Sequence, residues 1–550
     1  MKSHILMPEA PDTQMPLGAQ ISHMLWDRGV RHIFGIPGVH NQEMYRGIEQ
    51  AGLTHILARH EQGAGFMADG YARASGQPGV AYVITGPGLC NIMTPMGQGY
   101  SDSVSMLVIS SCLDETAARQ GQLHQMLDQE GAAATVSDWS HTALDAPSAY
   151  QLIDRALSEF QTARKRPKHI QVPIAQLEAP AAPPPAKTHA PSSFGATPAQ
   201  AALLRGRLAA AKRPLFIFGG GAAPQQSLVQ AEQMRGDQPA DWLEAFLALG
   251  AASFTTYAGR GVIPKGAPMH LGSMLARPES ADVIGSADLV VAVGTTLSEV
   301  DLWRSHLGHR AELLRVDIDP EVLSDAQRAD INLHACADAL LRLTFAEPIE
   351  PKSGWTPEEV SKTTQRWRAQ IDAERPGIVP ICDALAQVMP PDMMVFSDMT
   401  QLAYAAKEVI DMARPGHWHH PYGFGTLGYA LPASIGGAVA RPGLPTLCII
   451  GDYGFQYTMM ELATAVELQL PLPILLWDNG KLGEIEDSMT RAQIAPNAVI
   501  QQNPDFLKLA EAFGAHATQP ATLKEMQDAV QTALKADRPT IIRVTPKISA

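Results

Sequence analysis

Two oxygen-bearing side chains bracket one strand–helix–strand unit near the end of the chain. Asp452 follows the apolar run 448–450, and Asn479 follows a second apolar run 27 positions later (479 − 452). A helical pattern separates the runs, so the unit predicts two parallel strands that deliver both side chains to one sheet edge. A carboxylate and an amide oxygen beside a helix N-terminus suit Mg²⁺ and a diphosphate. The pattern predicts a turn at residues 451–454 and a metal site beside it.

The composition limits what kind of protein this is. The chain has 550 residues, 45% of them hydrophobic and 18% charged, with a formal net charge of -14. Such a length predicts about three domains, and the negative charge disfavours nucleic acid or an anionic membrane as a partner. Five scattered cysteines predict neither a disulfide framework nor a zinc site. With no signal peptide or spanning segment expected, we predict a cytoplasmic protein.

Two composition shifts divide the chain. A proline-rich stretch at 179–197 suits an extended linker, and a weaker break occurs at 347–354. Each resulting segment alternates apolar strand-like runs with helical patterns, which predicts an α/β protein of three doubly wound parallel-sheet domains. The predicted domains are 1–180, 195–346 and 355–550. In the middle one, Gly219-Gly220-Gly221 after a strand is either a nucleotide or flavin loop or a tight strand-to-helix turn.

The first segment carries several motifs in a fixed order. They are Phe-Gly-Ile-Pro-Gly at 34–38, Thr-Gly-Pro-Gly-Leu-Cys-Asn at 85–91 and Tyr-Ser-Asp-Ser at 100–103, with Glu61 opening a helical pattern. Together they resemble the pyrimidine domain of the thiamine-diphosphate enzymes related to acetolactate synthase, and the resemblance covers nearly the whole chain. It implies that Glu61 hydrogen-bonds N1′ of the cofactor and so helps to remove the C2 proton. Taken alone, Glu61 would be assigned as a helix-start residue whose charge is favoured by the helix dipole.

The last segment also resembles this family. Within 420–436, the resemblance implies that the Gly425 carbonyl accepts from the 4′-amino group and that Leu427 is the apolar wedge that bends the cofactor. Core packing is the alternative for Leu427. The resemblance further implies that Thr400 touches the diphosphate and that the active centre forms between two subunits of a homodimer or homotetramer.

The opening motif resembles the family's Gly-Asp-Gly and Asn-Asn signature with two departures. Tyr453 stands where the third glycine is usual, and Asp478 replaces the first asparagine. The resemblance implies Mg²⁺ bound by Asp452, Asn479 and the backbone carbonyl of Lys481. It also implies that the N–H groups of Tyr453 and Gly454 meet the diphosphate. Asp478 could add charge near the metal or orient the loop.

The substrate pocket differs from that of an acetolactate synthase. Gln125 is retained, but His124 replaces an aromatic residue and Glu484 replaces a methionine. Residues 34–40, 123–124 and 483–485 look more like the 5-guanidino-2-oxopentanoate (2-ketoarginine) decarboxylases. A carboxylate at Glu484 could pair with a substrate guanidinium, or it could face solvent or relay a proton. His40 and His124 are candidate proton donors, for which a structural role is the alternative.

Three functions follow as hypotheses. The first is a thiamine-diphosphate- and Mg²⁺-dependent decarboxylase that converts a 2-oxo acid, for example 5-guanidino-2-oxopentanoate, to an aldehyde and CO₂. The second is a carboligase like acetolactate synthase, since the same cofactor supports both outcomes. The third is a non-catalytic binding protein of this fold, against which the retention of Glu61, Asp452 and Asn479 argues.

Overall fold

The computed structural model describes residues 14–114, 121–187, 195–223 and 242–549. This part of the chain contains three parallel sheets flanked by helices, so the predicted α/β class is confirmed. It divides into two compact units, Met1–Ser192 with Phe424–Pro442 and Tyr457–Leu470, and Ser193–Gly423 with Gly443–Gln456 and Pro471–Ala550. The limits predicted for the three domains stay predictions. No helix in the described ranges is long and apolar enough to cross a membrane.

The elements have the following bounds. The first third holds β1 (Met15–Pro16), α1 (Leu17–Asp27), β2 (His32–Gly35), α2 (Gln42–Ala51), β3 (Thr54–Leu57), α3 (Glu61–Ser75), β4 (Gly79–Val83), α4 (Pro87–Ser101), β5 (Met106–Cys112), α5 (Gln129–Ala134), β6 (Trp139–Thr142), α6 (Ala146–Thr162), β7 (Lys168–Pro173), α7 (Ile174–Glu178) and β8 (Pro180–Ala181). The middle third holds α8 (Pro198–Ala210), β9 (Pro214–Phe218), α9 (Leu243–Leu249), β10 (Ala252–Thr255), α10 (Ser280–Gly285), β11 (Leu289–Val293), α11 (Glu299–Leu302), β12 (Glu312–Asp317), α12 (Pro320–Leu323), β13 (Ile331–His334) and α13 (Ala337–Thr344). The last third holds α14 (Pro357–Glu374), α15 (Ile378–Val388), β14 (Met394–Ser397), α16 (Gln401–Val409), β15 (Trp418–His419), α17 (Ala430–Ala440), β16 (Thr446–Gly451), α18 (Asp452–Thr458), α19 (Glu461–Glu467), β17 (Pro473–Trp477), α20 (Gly483–Arg491), α21 (Phe506–Phe513), β18 (His516–Thr518), α22 (Leu523–Ala533) and β19 (Thr540–Val544).

The first unit is built on a parallel sheet of strand order β3-β2-β4-β5-β7-β6. Its central strands are buried along their whole length, as expected for a sheet with helices on both faces. Helix α3 crosses α17 at backbone distance, because a Cβ at Gly70 would lie 1.9 Å from the Ala433 carbonyl oxygen. A Cβ at Gly436 would lie equally close to the carbonyl oxygen of Met67, at 1.9 Å. Small residues therefore fix the helix that begins at Glu61.

The second unit contains two parallel sheets, of order β10-β9-β11-β12-β13 and β15-β14-β16-β17-β19-β18. One apolar cluster contains residues of both sheets, such as Leu215 of β9 and Val395 of β14, together with Trp367 of α14. In the last sheet β16 pairs directly with β17, so the chain segments that follow these two strands start at neighbouring points on one edge. This is the placement that the opening motif predicts.

Two local predictions meet different outcomes. The predicted turn at 451–454 is wrong, because helix α18 begins directly at Asp452, where a carboxylate is favoured by the helix dipole. The glycine triplet after β9 packs against the turn after β11: a Cβ at Gly219 would lie 2.1 Å from the carbonyl oxygen of Gly294. Backbone crowding between two strand ends therefore explains this glycine without a nucleotide.

Candidate functional site

Glu61 lies at the first position of α3, just beyond the end of β3. The Asn91 side chain donates a hydrogen bond of 2.9 Å to Oε2 of Glu61. Within the described ranges, no hydrogen bond reaches the other oxygen, Oε1. The carboxylate is half-buried, so one oxygen is fixed and one is available to a ligand. Asn91 belongs to the 85–91 motif, whose spacing thus serves to hold Glu61.

The turn that precedes α4 lies beside His124, and the first turn of α4 lies near Glu61, all within the first unit. A Cβ at Gly86 would lie 2.4 Å from the His124 carbonyl oxygen, and one at Gly88 would lie 3.5 Å from Glu61 Oε1. The Nδ1 atoms of His40 and His124 are 3.4 Å apart. Burial and then the neighbouring His124 lower the pKa of His40.

A chain of hydrogen bonds between buried polar side chains holds this turn in place. The N–H of Gly86 donates to Gln129 Oε1 at 2.9 Å, and the Gln129 amide donates to Ser110 Oγ at 3.2 Å. Ser110 in turn contacts His169 Nε2 at 2.8 Å. Burial lowers the pKa of His169 to about 3, which keeps this histidine neutral. Gln125 is half-buried near these residues in the chain, and its Oε1 accepts from the Gly121 N–H at 3.2 Å.

The segment 425–428 forms a tight loop ahead of α17 in the first unit. Gly425 and Gly428 both have positive φ, 66° and 82°, which favours glycine at each position. Leu427, between them, is half-buried rather than a core residue. The alternative role for Leu427, packing in the hydrophobic core, therefore does not describe its position.

Asp452 lies in the second unit, where β16 passes into α18. Its Oδ2 accepts hydrogen bonds from the Gly480 N–H at 2.8 Å and from the Asn503 amide at 2.7 Å. Its Oδ1 accepts from the Tyr453 N–H at 2.8 Å. Burial raises the pKa of Asp452, and these three donors act in the opposite direction. The carboxylate is only 2% exposed and is held rigidly by N–H groups.

The loop after β17 carries Asn479 beside the first turn of α16. The Asn479 amide donates to Gln401 Oε1 at 3.1 Å, and its Oδ1 accepts from the Lys481 N–H at 3.2 Å. The Lys481 ammonium pairs with Glu486. Backbone hydrogen bonds to the facing segment fix the loop, from Leu482 N–H to the carbonyl of Val499 at 2.8 Å. Asp452 and Asn479 meet on one edge, as predicted, linked through the Gly480 N–H.

Asp478, the departure from the family pattern, is fully engaged by other side chains. Its Oδ2 accepts from Arg543 Nε at 2.7 Å, and its Oδ1 accepts from the Asn503 amide at 2.7 Å. Asp478 therefore orients the loop through its hydrogen bonds with Arg543 and Asn503. Asn503 lies between the two aspartates, since the same amide also reaches Asp452.

Thr400 and Gly454 complete the edge. Thr400 is the N-cap residue of α16, but its side chain makes no hydrogen bond to the helix it precedes. A Cβ at Gly451 would lie 3.1 Å from Thr400 Oγ1, and a Cβ at Gly454 would lie 3.1 Å from Asp398 Oδ2. The hydroxyl of Thr400 therefore sits against the residue that precedes Asp452.

Glu484 already binds a guanidinium of the protein itself. Arg375 Nε donates to its Oε1 at 2.8 Å, and Arg375 Nη2 donates to its Oε2 at 3.1 Å. This is the bidentate geometry predicted for a substrate, with an arginine in the substrate's place. A guanidinium ligand would have to share or displace this partner.

The residues fit the cofactor that the sequence resemblance implies. Oε1 of Glu61 can form a hydrogen bond with a ring nitrogen of the cofactor. The oxygens of Asp452 and Asn479 are the hard ligands that Mg²⁺ prefers. The described ranges contain no group of three or more His, Cys, Asp or Glu side chains arranged to hold a metal. A cation here would thus take its remaining ligands from backbone, water and phosphate oxygens.

Sequence patterns missed several supporting residues. Glu461, Asn503, Arg375 and Gln401 act through contacts with residues far away in the chain. Arg543 had a readable signal, because an arginine inside the buried strand β19 needs an acidic partner.

Three family models match the chain. They are the N-terminal TPP binding domain of thiamine pyrophosphate enzymes over residues 15–132, the central domain over 202–343 and the C-terminal TPP binding domain over 398–544. Thiamine pyrophosphate is another name for thiamine diphosphate. The three matches together cover more than half of the chain.

Curated relatives align over almost the full length. A probable 2-ketoarginine decarboxylase of Pseudomonas aeruginosa is 39% identical over 548 residues, which cover 98% of this chain and 95% of that protein. The acetolactate synthase isozyme 2 large subunit of Escherichia coli is 28% identical over 541 residues, covering 96% and 95%. The isozyme 1 large subunit of the same organism is 26% identical over 545 residues, covering 95% and 92%.

Proposed function

This chain belongs to the thiamine pyrophosphate enzyme family, and we propose that it decarboxylates a 2-oxo acid without oxidation, releasing CO₂ and an aldehyde. The 39% identity to a probable 2-ketoarginine decarboxylase supports a thiamine-diphosphate-dependent 2-oxo acid decarboxylase. The observation that carries the proposal is Glu61, with one oxygen fixed by Asn91 and the other open to a ligand.

When bound, thiamine diphosphate would supply a carbon nucleophile for the 2-oxo carbon and an electron-poor ring that takes up the electron pair left when CO₂ departs. Glu61 is proposed to hold a proton between Oε1 and ring nitrogen N1′, which an amide side chain could not share in the same way. Asn91 restricts Glu61 to one orientation by binding Oε2. Leu427 and the Gly425 carbonyl are proposed to orient the cofactor.

The second unit is proposed to hold Mg²⁺ and the diphosphate. Asp452, Asn479 and the Lys481 carbonyl would bind the cation. Thr400 and the N–H groups of Tyr453 and Gly454 would meet phosphate oxygens, with the Tyr453 N–H exchanging its present partner, Oδ1 of Asp452. Since β16 ends where α18 begins, the helix dipole also favours an anion at this position.

Protonation of the carbon that has lost CO₂ decides between an aldehyde and a ligated hydroxyketone. His40 and His124 are proposed to supply that proton, because their Nδ1 atoms lie 3.4 Å apart and an imidazole can hold and release a proton. Gln125 is proposed to line the same pocket. If a second carbonyl compound reacts with this carbon before it is protonated, the result is the carboligase reaction. This reaction is the competing hypothesis, because the chain is also similar to acetolactate synthases.

We propose 5-guanidino-2-oxopentanoate as the substrate and Glu484 as the residue that recognises its guanidinium. Guanidinium groups favour bidentate pairing with a carboxylate. Glu484 forms such a pair with Arg375 in this structure. The proposed assembly is a cytoplasmic homodimer or homotetramer with the active centre between subunits. The proposed domains are pyrimidine-binding (1–180), central (195–346) and diphosphate-binding (355–550), and the family matches support them.

The test is a panel of 2-oxo acids that includes pyruvate and 5-guanidino-2-oxopentanoate. CO₂ release and the organic product are measured with and without thiamine diphosphate and Mg²⁺. We expect the matching aldehyde, formed only with both cofactors. A hydroxyketone as the main product would favour the carboligase. Absence of Mg²⁺-dependent cofactor binding by calorimetry would favour a non-catalytic binding protein.

A variant pair tests recognition by Glu484. Glu484→Gln should raise KM for 5-guanidino-2-oxopentanoate at least about tenfold, because a charged hydrogen bond is lost. Arg375→Ala should lower the same KM by freeing the carboxylate. Neither change should alter KM for a neutral 2-oxo acid. An unchanged preference between the two substrates in Glu484→Gln would rule out this role.

A further inference from the structure

The turn between β3 and α3 is held by a buried carboxylate from a distant part of the chain. Glu461 Oε1 accepts hydrogen bonds from the N–H groups of Arg59 and His60, each at 3.0 Å. Its Oε2 accepts from the Arg59 N–H at 3.2 Å and from the Thr464 hydroxyl at 2.8 Å. The residue after His60 is Glu61. Glu461 thus binds the two peptide groups that precede the proposed proton-holding carboxylate.

Helix α19 contacts this turn with one face. Thr464 lies one helical turn after Glu461, and its hydroxyl also reaches the Leu57 carbonyl at 3.2 Å. Glu467, three residues further on, pairs with the Arg59 side chain. Residues at spacing i, i+3 and i+6 lie along the same side of a helix. Three consecutive contacts therefore fix the turn against α19.

The packing leaves no room for another arrangement. Glu461 is 0% exposed, and a Cβ at Gly63 would lie 2.1 Å from its Oε1. His60 caps α3 by accepting from the Gln62 N–H at 3.1 Å, so its own N–H is left for Glu461. Removing the carboxylate would leave buried peptide donors unsatisfied, which is costly.

We propose that Glu461 is a positioning residue for Glu61: by binding the peptide N–H groups of Arg59 and His60, it fixes the direction in which the Glu61 carboxylate projects. Side-chain contacts alone do not fix this direction, because Asn91 holds only one of the two Glu61 oxygens. The inference rests on the proposed role of Glu61 in proton transfer.

The first test needs no cofactor and no substrate. In Glu461→Gln, the loss of a charged acceptor should make the Arg59 and His60 amides exchange hydrogen about ten- to hundred-fold faster than in the wild type, measured on the cofactor-free protein. Asp154→Asn is the matched control, since Asp154 is a carboxylate of the same unit that binds Arg28 instead. Unchanged protection of these amides in Glu461→Gln would contradict the inference.

The second test separates positioning from general destabilisation. Glu461→Gln should lower kcat at least about tenfold, while the Kd for thiamine diphosphate and KM change less than about twofold. Glu461→Asp, which keeps the charge, should recover part of kcat. A loss of kcat that follows only the loss of folded protein in thermal melts, or no loss at all, would overturn the inference.

Glu61→Gln distinguishes the inference from the proposed function. If that variant keeps full kcat, the role of Glu61 itself is wrong, and Glu461 has nothing to position. If Glu61→Gln is inactive while Glu461→Gln is fully active with slower-exchanging or unchanged turn amides, the role of Glu61 stands and the inference about Glu461 is rejected.

Discussion

Glu61 and Asp452 hold equivalent places on two different sheets, but their surroundings differ. Each is the first residue of a helix that follows a parallel strand. Glu61 is half-buried and accepts one side-chain hydrogen bond within the described ranges, from Asn91. Asp452 is 2% exposed and accepts three hydrogen bonds from N–H groups.

The difference separates two kinds of work for a carboxylate. A carboxylate that exchanges a proton needs an oxygen that is free to meet its partner, as Glu61 has. A carboxylate that holds a cation needs fixed oxygens, and N–H donors around Asp452 provide that fixation. In Glu61 the orientation is set mainly by the backbone, through Glu461, whereas in Asp452 it is set by bonds to the carboxylate itself.

The largest effect is expected at Glu61. Glu61→Gln should reduce CO₂ release about hundred- to ten-thousand-fold, because general acid–base catalysis contributes this much. Cofactor binding measured by calorimetry should survive. Glu49→Gln, on an exposed position of α2, is the control and should behave as wild type. If Glu61→Gln lost affinity for thiamine diphosphate by the same factor as turnover, Glu61 and Asp452 would not differ in role.

Asp452→Asn should show the opposite pattern. Weakening this proposed cation ligand should lower Mg²⁺-dependent affinity for thiamine diphosphate by more than about hundredfold. Turnover should return toward the wild-type value when Mg²⁺ and cofactor are raised. Asp528→Asn removes an exposed carboxylate that pairs with Lys524, and it should leave affinity unchanged. Unchanged Mg²⁺-dependent affinity for thiamine diphosphate in Asp452→Asn would show that Asp452 is not a cation ligand.

The support of Glu61 should depend on pH. Burial raises the pKa of Glu461 to about 6, above its ordinary value of 4.5. Proton uptake therefore favours the folded state, and the stabilisation is complete below pH 4.5 and lost as pH rises through 6. Relative to Glu461→Gln, the wild type should gain up to about 2 kcal/mol of unfolding free energy between pH 7 and pH 4.5. Thermal or urea unfolding measures this, and a difference independent of pH would contradict it.

The smallest effect is expected at Asn503. Asn503→Ala removes the amide that bridges Asp452 and Asp478, and it should weaken Mg²⁺ binding about tenfold. Asn497→Ala, an exposed asparagine of the same segment, is the matched control. If both variants bind Mg²⁺ like the wild type, the fixed oxygens of Asp452 do not need Asn503.

Local patterns predicted much of the fold. The apolar run 448–450 lies within the strand β16 as expected, and α3 begins at Glu61 as expected, because each prediction depends only on neighbouring residues. The turn predicted at 451–454 is wrong because Asp452, which follows a glycine, starts a helix there and its carboxylate accepts a hydrogen bond from the Tyr453 N–H. Only the structure could resolve that local competition.

The supporting contacts of the site could not be predicted from one sequence. Glu461 and Arg59 are 402 positions apart, Arg375 and Glu484 are 109 apart, and Arg543 and Asp478 are 65 apart. Periodicity reports which residues share a face, but it carries no information on which distant face they meet. The family resemblance supplied the roles proposed for Glu61 and Asp452, and the structure shows which residues hold the two carboxylates.

Exchange of the C2 proton of bound thiamine diphosphate tests the central claim most directly. The rate is measured by NMR after acid quench in D₂O, with saturating Mg²⁺ and cofactor and without any 2-oxo acid. We expect rapid exchange in the wild type and a rate at least about hundredfold lower in Glu61→Gln. Equal exchange rates in the two proteins, with cofactor fully bound in both, would contradict the assignment of Glu61 as the proton-holding carboxylate.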